Sequence, residues 1–136
     1  SLTTEEMLLR LIGVFLIILF IHLLTKNRPS ALIAIFFLMG SQVVNAVFHV
    51  FFSFYYSDFS PGAITATLLY LPLNYFIIKA AFNEGFLRNK IEVILLFFLG
   101  CATFTLFEMF GPAVLAISTL FCAFYYVYSV YIMKTR

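Results

Sequence analysis

Charge is what this chain has least of. Eight basic and six acidic side chains are all it carries in 136 residues, 10% of the total, against about 25% in an ordinary soluble domain. A water-soluble protein of this length covers its outside with polar side chains, and too few are present here to do so. Most of the surface must therefore face hydrocarbon. Cysteine is scarce too: Cys101 and Cys122 stand alone, which excludes a disulfide framework and a zinc pattern by count and spacing. Tryptophan is missing, which leaves tyrosine as the main aromatic for a membrane interface. A net charge of +2 with no basic stripe excludes nucleic acid as a partner. No polar stretch exceeds 83–90, so there is no room for a separate soluble domain.

Catalytic signatures are missing as well. The sequence contains no phosphate-binding loop, nucleophile elbow, HExxH string or paired-carboxylate motif. No cofactor is expected.

Apolar length is what the chain does have. Apolar residues make up 64% of it, and a membrane-crossing helix needs about 20 of them in a row. Five segments meet or approach that length: 7–25, 31–56, 62–82, 91–109 and 113–133. Backbone groups in hydrocarbon must bond within their own segment, so helices are expected and strands are not. Thr3 with Glu6 fits a capping box for the first helix, and Leu2 with Met7 fits a hydrophobic staple around it. Phe110-Gly111-Pro112 interrupts the last long apolar run, because glycine stops a helix and proline starts the next.

The basic residues fix the count. Five crossings put Lys26, Arg28, Lys79, Arg88, Lys90, Lys134 and Arg136 on one side and only Arg10 on the other, seven against one. Joining the last two segments would reduce the split to five against three. The positive-inside rule then places the N-terminus outside and the C-terminus inside. The expected fold is all-α: one polytopic bundle of five transmembrane helices spanning 1–136, in a bacterial inner membrane.

Polar groups inside these segments are the candidate site. Gln42, Asn45, His49, Ser53 and Tyr56 follow steps of 3, 4, 4 and 3, which places them on one face of the second helix. On the third helix Tyr70 and Asn74 are expected at the depths of His49 and Asn45, either side of Pro72, which frees a carbonyl one turn back. Such a stripe serves either as interhelical hydrogen-bond glue or as the lining of a pocket with His49 as its acid, base or ligand. A metal would need a second strong ligand, and Glu108 is the one candidate in the same half. His22, near the inner end of the first helix, reads as an interfacial residue. It is too far from His49 to share a haem. Cys101 and Cys122 fall at similar depth but lack a CxxC motif or cationic neighbour, and read as small packing residues.

Asn45-Ala-Val-Phe-His49, then Phe59-Ser-Pro61-Gly62-Ala-Ile-Thr65, then Leu71-Pro72 resembles the later half of the HXXEE-domain membrane proteins. The likeness covers residues 45–72, about a fifth of the chain. The His-x-x-Glu-Glu motif that names the family is absent, and His22-Leu-Leu-Thr-Lys26 is the nearest string, with the acids replaced. The resemblance adds weight to Asn45 and His49 and implies no particular reaction.

Two functions are expected. The first is a small subunit, sensory or accessory component of a larger membrane assembly, contacting lipid and either a membrane-protein partner or copies of itself. The second is a membrane-embedded enzyme or lipid binder with a pocket lined by Gln42, Asn45, His49, Tyr70 and Asn74. A transporter fits less well, because no internal repeat is visible.

Overall fold

The computed structural model describes residues 4–57 and 66–133. The expected capping box and staple at Leu2, Thr3, Glu6 and Met7 involve undescribed positions. The segment Phe59 to Thr65 and the terminal charges Lys134 and Arg136 also lie outside the described residues.

Among the described residues every regular element is helical. Helix α1 runs Thr4–Thr25 and α2 runs Arg28–Tyr56 without a break. Helix α3 covers 66–83, α4 is Lys90–Phe110 and α5 is Pro112–Ile132. Three of the five, α2, α4 and α5, are long and apolar enough to cross a membrane. Helix α1 contributes a shorter apolar stretch, Leu9–Thr25.

Local chemistry sets the boundaries. Asn27 caps α2: its Oδ1 accepts the Ser30 backbone N–H at 3.0 Å, the bond an N-cap side chain makes to the third helical residue. Asn89 does the same for α4. It accepts from the Glu92 N–H at 3.2 Å, and Glu92 Oε1 takes the Arg88 and Asn89 N–H groups in return, a reciprocal capping box. The turn that follows α3 contains Gly85, whose φ of 84° only glycine adopts without cost. The apolar run from 91 to 133 breaks at Gly111, where φ 79° and ψ −151° lie outside ordinary helical space, and Pro112 opens α5.

Three helical stretches run wide, with hydrogen bonds five residues apart rather than four: Met39–Val43 inside α2, Ala66–Tyr70 at the start of α3 and Tyr128–Ile132 at the end of α5. The second is explained by Pro72, which has no N–H to give the Leu68 carbonyl. The turn before it opens instead of closing on that position.

The chain divides into two compact units, Ser1–Ala34 with Leu106–Arg136, and Ile35–Thr105. In the second unit Ile35, Leu38, Met39, Val44, Ala46, Ala81 and Leu87 are buried. Gly100 of α4 meets the wide turn of α2 there. A Cβ on Gly100 would stand 3.1 Å from the Gly40 nitrogen and 3.2 Å from the Met39 carbonyl carbon, so the two backbones touch without side chains between them. Phe48 stacks on Phe104 beside this contact, with centroids 5.3 Å apart. In the first unit Pro29, Ser30, Ala31, Val114 and Ser129 are buried.

Candidate functional site

Of the polar stripe expected on α2, Asn45, His49, Ser53 and Tyr56 lie in regular α-helix and keep their spacing on one side of it, while Gln42 lies in the wide turn before them. Gln42 sits in the wide turn and turns toward α3, where its Oε1 accepts from Asn74 Nδ2 at 2.8 Å. The same Asn74 nitrogen donates to the Tyr70 carbonyl, also at 2.8 Å. Asn74 is 3% exposed, so both of its donors are spent inside the second unit. Ser53 is buried as well. Asn45 is half-buried and His49 is exposed, and among the described residues neither side chain makes a hydrogen bond or ion pair. The structure thus brings Gln42, Asn74 and the Tyr70 backbone together, and leaves Asn45 and His49 outside that group.

The remaining candidates are dispersed. Glu108 is exposed on the last turn of α4. Cys101 and Cys122 are free thiols, each half-buried. No cluster of three or more His, Cys, Asp or Glu side chains suited to a metal ion occurs among the described residues. Hydroxyls on the apolar helices bond to their own backbones one turn back: Ser41 to Phe37, Thr105 to Cys101 and Thr119 to Leu115, at 2.7, 2.8 and 2.8 Å. That arrangement satisfies a hydroxyl without a neighbouring helix.

A second polar constellation lies in the first unit, around the turn between α1 and α2. His22 Nδ1 is 2.7 Å from Ser30 Oγ. Ser30 Oγ donates to the Asn27 carbonyl at 2.9 Å and accepts from Thr25 Oγ1 at 3.3 Å. The Asn27 carboxamide nitrogen donates to the Tyr126 hydroxyl of α5 at 3.1 Å. His22 is therefore a structural member of a turn network, in addition to lying at a helix end. A Ser–His contact of this length suggests nucleophilic chemistry, but Ser30 is 2% exposed and no substrate carbonyl could reach it. The network is a clasp. Sequence inspection missed it because His22 and Ser30 are eight positions apart and meet only through the tight turn.

The fold defines a class: all-helical among the described residues and strongly apolar. Within that class the chain belongs to the family described as protein of unknown function with HXXEE motif, which it matches over residues 2–77. The match is wider than the 45–72 region that first carried the likeness, and it begins at Leu2. The sequence there, Leu2-Thr3-Thr4-Glu5-Glu6, holds two adjacent glutamates and no histidine. Glu5 and Glu6 are exposed in the first turn of α1, where negative charge favours the helix dipole. No curated protein and no solved structure matches the chain.

Proposed function

We propose that this chain is an integral membrane protein of a bacterial inner membrane, crossing five times with its N-terminus outside. It works as a small non-enzymatic subunit, a sensory or accessory component of a larger membrane assembly. One observation carries the reading. The most apolar stretches of α4 and α5 are only 6% buried within the chain, so nearly all of both helices needs a cover that this chain does not supply. In water such surfaces would associate or aggregate; lipid and partner helices cover them without cost.

Two features favour a component over an enzyme. Gln42 and Asn74 spend their groups on each other and on backbone, as interhelical glue does. The clasp at the α1–α2 turn likewise holds its serine out of reach. The sorting of basic residues, seven against one, supports the orientation.

The test is the particle itself. The protein is expected to stay in the membrane fraction through alkaline carbonate. After extraction in mild detergent it should carry a protein mass above that of one chain, measured by light scattering. A monodisperse single chain would overturn the assembly reading. Labelling that found Ser1 and Arg136 on the same side of the membrane would overturn the five-crossing topology.

A further inference from the structure

The outward face of α2 carries a different set of residues from the inward one. Asn45, His49, Phe52 and Tyr56 follow steps of 4, 3 and 4, the heptad spacing by which two helices wind around each other at a shallow left-handed angle. His49 is exposed, Phe52 is 47% exposed and Tyr56 67%. Phe52 and Tyr56 stack with centroids 6.0 Å apart and form a flat aromatic end to this strip. Gln42 is bonded to Asn74, and Ser53, beside this strip, is buried.

Asn45 and His49 are the unresolved account on this face. Neither finds a hydrogen-bond partner among the described residues. Helix α2 has 29 residues, about 44 Å at its rise per residue, against a hydrocarbon core of ~30 Å. With α2 centred in the bilayer, Asn45 lies roughly 5 Å from the midplane and His49 roughly 10 Å. Acyl chains offer no hydrogen bond at either depth, and a carboxamide left bare there is costly.

We infer that this strip is a self-association face, occupied by the same strip of a second copy of the chain; the inference rests on the membrane-spanning reading above. Two copies inserted the same way and related by a two-fold axis along the membrane normal meet at equal depth. Asn45 then faces Asn45 of the second copy, and His49 faces its counterpart. A carboxamide and a neutral imidazole each carry a donor and an acceptor, so each completes itself without any other partner chemistry. Lipid lacks both groups at this depth, and a strip of one charge sign would repel its own image. This strip carries no formal charge.

Single-cysteine cross-linking in native membranes tests it. In a Cys101→Ala, Cys122→Ala chain, Phe52→Cys lies on the strip and leaves Asn45 and His49 in place. Phe54→Cys lies within about 3 Å of the same depth on the opposite, exposed side of the same helix and is the control. Oxidation is expected to give a covalent dimer at position 52 and little at 54. Adding Asn45→Leu with His49→Leu should lower the yield at 52 about eightfold, the factor two interhelical hydrogen bonds supply. Equal yields at 54 and 52, or a yield at 52 that ignores the double substitution, overturn the inference. A membrane-resident particle larger than one chain with no link at 52 also overturns it, and leaves the assembly reading standing with a different partner. A chain absent from the membrane fraction removes both.

Discussion

The two units hold their helices by opposite means. In the first, a turn is clasped by polar groups: His22, Thr25, Asn27 and Ser30 bond in sequence, and Tyr126 ties α5 to them. In the second, bare backbone meets bare backbone at Gly40 and Gly100, and one amide pair, Gln42 with Asn74, stands beside it. The first arrangement tolerates crowding and fails if a donor is lost. The second tolerates loss of a hydrogen bond and fails if volume is added. Polar contacts are directional and local to a turn, whereas close packing needs only the absence of a side chain.

The largest effect is expected where volume is added. Gly100→Val places its Cβ against the Gly40 nitrogen and Met39 carbonyl carbon, atoms that cannot swing aside. A loss of about 2–3 kcal/mol follows from such overpacking, read as the shift of the unfolding midpoint in a detergent–SDS titration. Gly40→Ala is the sharpening control. Its Cβ would find nothing nearer than 3.8 Å, and the midpoint should barely move. Equal losses at both glycines would break the contrast.

Removing donors should rank the two units the other way. Asn27→Ala takes away the α2 cap and the bond to Tyr126 together, about 1–2 kcal/mol. Asn74→Ala removes only the amide pair and costs about 1 kcal/mol or less. The same titration compares them, and a larger loss at Asn74 would show that the second unit depends on its amides after all. The smallest effect is at the end of α2, where Ser57 adopts φ 54°, a conformation in which glycine is at ease. Ser57→Gly should raise the midpoint by a few tenths of a kcal/mol or leave it unchanged.

Much of the fold was legible because composition and punctuation are read directly. The scarcity of charge, the Gly111-Pro112 break and the short polar turns after Thr25 and Asn83 are enough to mark five helical segments. The candidate site was legible only in part. Periodicity at 3.6 residues per turn put Gln42, Asn45, His49, Ser53 and Tyr56 on one face, but the wide turn Met39–Val43 carries a residue more than an α-turn would. Gln42 lies in that turn and reaches Asn74, whereas His49, in the regular helix beyond it, is exposed. No local residue pattern announces that turn. The clasp escaped for a different reason, since it joins side chains 8 and 99 positions apart.

Asn27 shows how narrow the choice of residue can become at a joint. Its carbonyl oxygen caps a helix, its nitrogen holds a tyrosine, and its backbone oxygen takes a serine hydroxyl. Aspartate could cap and accept from the Tyr126 hydroxyl, but only by placing a charge there; serine could cap but is too short to reach it; glutamine has both groups on a longer arm that misses the cap. Asparagine is the residue that reaches both the cap and the tyrosine without bringing a charge to the joint.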